Sequence, residues 1–141
     1  MNLANELRIG NLVFQDYVNK NVVVTGLFAD SDECWYCDLF SEMEASYRGP
    51  IQSFKPIELT PDWLLRMGFE HRTYTHFDKS VSHDLYLTKD DLWAIHIYEG
   101  AFNLFHMDRH EGSRMVASLK TVHSAQNIMF LLTGKELTIN P

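Results

Sequence analysis

The run Leu92-Trp93-Ala94-Ile95-His96-Ile97-Tyr98 is followed at once by Glu99-Gly100. A period of two puts Trp93, Ile95 and Ile97 on one face of a strand and Ala94, His96 and Tyr98 on the other. Gly100 supplies the positive φ that a two-residue hairpin loop needs. The returning strand then sets Ile97 opposite Phe102, Ile95 opposite Leu104 and Trp93 opposite His106. A strand pair with one apolar face belongs to a half-buried antiparallel sheet, and that face needs a cover. The whole stretch from Phe69 to Leu119 is patterned as an antiparallel meander around this hairpin.

Two helices are signalled on either side of the meander. Thr60-Pro61-Asp62-Trp63-Leu64-Leu65-Arg66-Met67-Gly68 has a capping hydroxyl, proline at the first helical position, an acid in the first turn and glycine just past the end. At two turns it is too short to stand alone in water, so Trp63, Leu64 and Met67 must dock on something. The last helix is expected over Val122 to Thr133, with Thr121 as N-cap and Gly134 just beyond the end. Val122, Ala125, Met129 and Leu132 recur at helical spacing with Ile128 beside them. This helix is the expected cover of the meander's apolar face.

The first 59 residues read differently. Leu7 to Phe14 is a short β-type run entered through Gly10. Tyr17 to Thr25 holds two β-branched stretches split by Asn19-Lys20-Asn21, a turn signal. Gly26 marks a possible bulge, and Trp35 to Phe40 is a third strand. Ser41 to Pro50 is ambiguous between helix and turn, and Phe54 to Leu59 is a last edge strand broken by Pro56. Short strands at this density predict a small SH3-like antiparallel β-barrel. The expected fold is therefore α+β: a barrel-like subdomain over residues 1–59, then helix, antiparallel meander sheet and C-terminal helix over 60–141.

Charge narrows the partners. Twelve basic residues face nineteen acidic ones, a net −7 with histidine neutral. A field of that sign repels phosphate backbones and anionic lipid, and Arg66, Arg72, Lys79 and Lys89 stand singly rather than in a patch. Nucleic acid and membrane are thus disfavoured. Met1 to Arg8 has no basic-then-apolar leader pattern, and the longest apolar run, Ile128 to Leu132, is far short of a span. A soluble protein of the reducing cytoplasm is expected.

Familiar chemical motifs are few. Cys34-Trp35-Tyr36-Cys37 offers two thiolates at the spacing of half a zinc site, with His106 and His110 as the candidate remaining ligands. About 70 residues separate the halves, there is no second CxxC, and acids at Asp30, Asp32 and Glu33 disfavour a thiolate. The competing expectation is that both cysteines pack as small hydrophobes in a strand. The i, i+4 pair His106/His110 sits at a strand end and not on a helix, and Asp108 is misplaced for the glutamate of HExxH. GxSxG, GxxxxGK[ST] and GxGxxG are absent, so no catalytic residue is nominated and no cofactor is expected. Asp90-Asp91 and Asp30/Asp32/Glu33 lack the spacing of a calcium loop. Trp35 and Tyr36, adjacent and so on opposite faces of a strand, leave one aromatic outward and are the candidate partner-binding residues.

Three blocks carry a likeness: Glu6-Leu7-Arg8-Ile9-Gly10-Asn11, then Pro56-Ile57-Glu58-Leu59 through Phe69, and Val122-His123-Ser124-Ala125-Gln126-Asn127 through Leu137. They resemble a group of small uncharacterised proteins encoded by phages, prophages and mobile elements of gut bacteria. The resemblance spans most of the chain, leaves out Cys34 to Cys37, and brings no activity or catalytic residue. It implies a small accessory or host-interaction protein. The expectation is a non-enzymatic module binding a protein partner or a second copy of itself. The alternatives are a zinc protein, or a small ligand-binding protein or enzyme with its site between the subdomains.

Overall fold

The computed structural model describes residues 6–16, 19–29, 35–41, 44–75, 82–137 and 139–140, with backbone alone for 28–29, 35–41 and 44–47. The architecture is α+β and mostly strand: two five-stranded antiparallel sheets and two α-helices. The chain divides into two compact units. One is Met1–Glu58 with Thr121–Glu136, and the other is Leu59–Lys120 with Leu137–Pro141.

In the first unit β1 (Leu12–Gln15), β2 (Lys20–Ala29), β3 (Trp35–Ser41), β4 (Glu44–Pro50) and β5 (Phe54–Lys55) lie in the order β4-β3-β2-β1-β5. The β1–β2 turn falls slightly earlier than expected, with Asn19 at φ 53° and its N–H donating to the Asp16 carbonyl at 3.2 Å. Asparagine is among the few residues that tolerate this left-handed backbone. Gly26 does mark a bulge, since the β2–β3 register slips between Val24 and Gly26. The ambiguous stretch after Ser41 is strand β4, which a 3₁₀ turn at Ile51–Ser53 ends. β5 then pairs with β1 and stops before Pro56, at the edge where proline is tolerated. Among the described residues the sheet is not closed: β4 and β5 stand at its two edges. Leu7, Val13, Val22, Val24, Ile51 and Phe54 form the unit's core, with Leu27 packed against it.

The closing helix α2 (Val122–Thr133) has the expected ends. The Thr121 hydroxyl accepts from the Ser124 N–H, the Ser124 hydroxyl accepts in return from the Thr121 N–H, and Gly134 takes φ 68°. Its expected place over the second sheet is corrected: α2 groups with the first unit. The reason lies in its carboxamides. Gln126 accepts from the Leu12 N–H at 2.9 Å and donates to the Gly10 carbonyl at 3.3 Å. Asn127 donates to the Glu6 carbonyl at 2.6 Å and accepts from the Asn11 amide at 2.8 Å. Asn11 and Gln126 are almost wholly buried, where an unpaired polar group would be costly. Arg8 adds an ion pair to Glu136 and lies 4.4 Å from the Phe130 ring centroid.

The second unit begins with α1 (Pro61–Arg66), capped by the Thr60 hydroxyl, which accepts from the Trp63 N–H at 3.4 Å. Trp63, Leu64 and Met67 are buried as their spacing requires, and Gly68 leaves the helix at φ 87°. Then follows the meander: β6 (Glu70–Thr75), β7 (Ser82–Leu87), β8 (Trp93–Tyr98), β9 (Ala101–Asp108) and β10 (Gly112–Leu119), paired in chain order. The central hairpin has the anticipated register, with Ile97 opposite Phe102, Ile95 opposite Leu104 and Trp93 opposite His106. Glu99 and Gly100 both take positive φ, 49° and 78°, the pair of values a type I′ turn demands. On one face Tyr86, Ile95 and Leu104 are buried.

Candidate functional site

The opposite face of the second sheet carries the most open chemistry among the described residues. Strand alternation and register bring Tyr74 of β6, His83 and Leu85 of β7, and Ala94 and His96 of β8 to one side. Phe105 and Met107 of β9 and Ser113 of β10 continue it, Ala94 facing Phe105 and Met107 facing Ser113. These residues line a concavity of about 430 Å³. Their positions step along the strands from β6 to β10, so the hollow runs diagonally across all five.

Ala94 is the floor, fully buried, while Tyr74 is 53% exposed at one end. Leu85, Phe105 and Met107 are half-buried between them. The polar groups concentrate at the Tyr74 end. His96 Nε2 and His83 Nδ1 stand 3.0 Å apart, one ring donating to the other, with ring centroids 4.8 Å apart at 76°. Burial, and then the neighbouring His83, hold the His96 imidazole below its ordinary pKa. It is thus mainly neutral at neutral pH, with a lone pair to offer. His96 also lies near Phe105 and Tyr98, at centroid distances of 6.4 and 6.2 Å.

A second hollow, about 370 Å³, lies in the first unit beside α2, lined by Glu6, His123, Ser124, Asn127, Ile128 and Leu131. His123 is 1% exposed, with Nε2 3.3 Å from a Glu6 carboxylate oxygen and no hydrogen-bond partner at Nδ1. Burial lowers its pKa, and the hydrogen bond and charge of Glu6 oppose that shift only in part. This imidazole is a neutral core group and not a surface base.

The residues nominated from sequence fall in both units, some of them outside the described residues. Cys34 lies outside the described residues, and Cys37 sits in β3 opposite Leu27 and Gly49. Trp35 and Tyr36 are in β3 opposite Ala29 and Phe28, their side chains likewise outside the description. The acids at 30, 32 and 33 are outside it too. His106 faces Arg114 across the β9–β10 ladder and packs its ring 4.8 Å from that of Trp93. His110 is in the turn beyond, where its N–H and that of Glu111 donate to Asp108 at 2.7 and 3.0 Å. Those two bonds hold the Asp108 carboxyl below its ordinary pKa. Asp108 therefore organises a turn. Among the described residues no three His, Cys, Asp or Glu side chains gather to hold a metal.

Sequence reasoning missed the His83–His96 pair. The alternation had placed His96 on this face, but nothing local fixes the β7 register that sets Leu85 opposite His96 and brings His83 alongside. Compared with known proteins, the chain matches no protein-family model, no curated protein and no solved structure.

Proposed function

We propose that the chain is a non-enzymatic protein-binding module whose docking surface is the diagonal trough of the second sheet. One observation carries this: apolar and aromatic side chains of β6 to β9, with Ser113 of β10 at the end, line up along a single concave path and, Ala94 at the floor apart, stay half-exposed or exposed. Concave apolar ground with an aromatic rim suits the apolar side of a partner's helix or extended segment, where buried aromatics contribute much of the binding energy. Trp35 and Tyr36 on β3 are proposed as a second contact. An acidic chain with scattered cations favours a protein partner over nucleic acid.

The first unit is read as an SH3-like barrel of the partly open kind. Support comes from β4 and β5, which are one stretch of chain interrupted only by the 3₁₀ turn, its first part on β3 and its second on β1. The three sequence blocks support a phage or mobile-element accessory protein. A cytoplasmic setting accords with two cysteines in the whole chain, and no helix among the described residues is long and apolar enough to cross a membrane.

A photo-crosslinking amino acid placed at Phe105, and in a parallel sample at Leu131 on the first unit, tests the docking surface in bacterial cells. A discrete protein adduct from position 105 and none from 131 is the expected result. Adducts from 131 alone, or from neither, would sink the proposal. A small-molecule reading is favoured by the volume of the trough, about 430 Å³, and a low-mass ligand retained through purification and lost in Phe105→Ala would select it instead.

A further inference from the structure

The two imidazoles at the Tyr74 end of the trough have a geometry that recognition of an apolar segment does not call for. A hydrogen bond between them requires one nitrogen to carry a proton and the other to aim a lone pair at the same point. A metal ion in place of that proton accepts from both nitrogens, but at 2.0–2.1 Å from each it stands off the line that joins them, so both rings turn slightly toward it. Two nitrogens bound at 2.0–2.1 Å stand about 3.3 Å apart in a tetrahedral zinc site and about 2.9 Å apart at adjacent corners of a tetragonal copper(II) site. The observed 3.0 Å falls between those chords, so a spread of a few tenths of an ångström admits either ion.

The supports are firm. His83 and His96 project from neighbouring strands: His83 is paired with Tyr74 on β6 and stands two residues beyond Leu85, which lies opposite His96, so the two imidazoles meet diagonally at the end of the β7–β8 ladder. Apolar Leu85, Ala94 and Phe105 share the trough wall, which limits competition by water for the ion. Tyr74, opposite His83 on β6, brings a phenol to the same end.

We propose that His83 and His96 form a two-imidazole site for a borderline divalent transition-metal ion, zinc(II) or copper(II) in type, with its remaining coordination positions open to the trough. No third His, Cys, Asp or Glu among the described residues completes the set. The ion is therefore held as an exchangeable two-ligand chelate whose free positions take water or a donor atom from whatever enters the trough. This site shares no residue with Cys34, Cys37, His106 and His110, and it stands whether or not the trough docks a protein.

Zinc chloride titrated into the chelator-treated full chain, followed by calorimetry and by histidine NMR resonances, tests it. One site of micromolar strength is expected, with the His83 and His96 ring signals moving together. His83→Asn and His96→Asn should each weaken zinc by about a hundredfold, the loss expected when a chelate becomes a single ligand. Cys34→Ser/Cys37→Ser and His106→Asn/His110→Asn should leave affinity within about twofold. Absence of zinc binding overturns the proposal, as does binding that disappears with the cysteines or with His106 and His110. Should a histidine variant fail to fold, the wild-type ring signals decide: unmoved signals from His83 and His96 overturn it equally.

Discussion

The seam beneath α2 and the trough of the second sheet both place polar side chains against apolar ground, yet they use them in opposite ways. In the seam Asn11, Gln126 and Asn127 each bind specific atoms of the protein, and Asn11 and Gln126 are nearly sealed from solvent. Their hydrogen-bonding capacity goes into fixing where the helix lies. In the trough the polar pair His83–His96 meets at the margin of a hollow that stays open. The first arrangement specifies a structure, and the second leaves chemistry facing outward.

Substitutions should separate the two. Gln126→Leu strands the Leu12 N–H and the Gly10 carbonyl in a buried seam and should cost about 3 kcal/mol in urea unfolding, without altering what the trough binds. A loss under about 1 kcal/mol would mean that the seam is dispensable. His123 gives the next effect. In the unfolded chain its imidazole has its ordinary pKa of 6.5, and burial lowers the folded value. Stability from this group is full above pH 6.5 and is lost as pH falls through the folded value. The slope is at most about 1.4 kcal/mol per pH unit. His123→Gln should flatten the acid limb below about pH 6.5 relative to wild type; identical limbs would assign that sensitivity elsewhere.

Phe105→Ala is the converse of the seam variant. Being half-buried, Phe105 should cost only about 1 kcal/mol of stability while removing most binding at the trough. A large stability loss would recast the trough as core. The smallest effect belongs to Glu136→Gln. Its partner Arg8 pulls the Glu136 carboxyl below its ordinary pKa, but the pair is solvent-accessible, so a change below about 1 kcal/mol that shrinks with added salt is expected.

Much of this was legible in the residues, and the illegible part has a common cause. The β8–β9 register followed from alternation and a two-residue turn, both local. The two helices could be bounded because their caps, Thr60 with Gly68 and Thr121 with Gly134, lie in the sequence beside them. The place where α2 packs could not be read that way. Its apolar stripe announces that something lies beneath, not which sheet. The carboxamides that decide are matched to backbone atoms more than a hundred residues away. The same limit hid the candidate site, since His83 and His96 meet only through a strand register with no turn signature of its own. The three sequence blocks that stood out gain a physical sense here. Glu6 to Asn11 is held by Gln126 and Asn127, and Arg8 meets Glu136.

That arrangement also dictates an order of events while the chain is being made. The first unit needs Thr121–Glu136, whereas the second is almost continuous from Leu59 to Lys120. The ribosome delivers β1 to β5 first, but the partners of Glu6 and Leu12, Asn127 and Gln126, leave the exit tunnel more than a hundred residues after them. The meander, built of neighbours in sequence, has every partner to hand sooner and should close first. The Asn11 carboxamide and the Leu12 N–H must then wait for α2 to supply their partners.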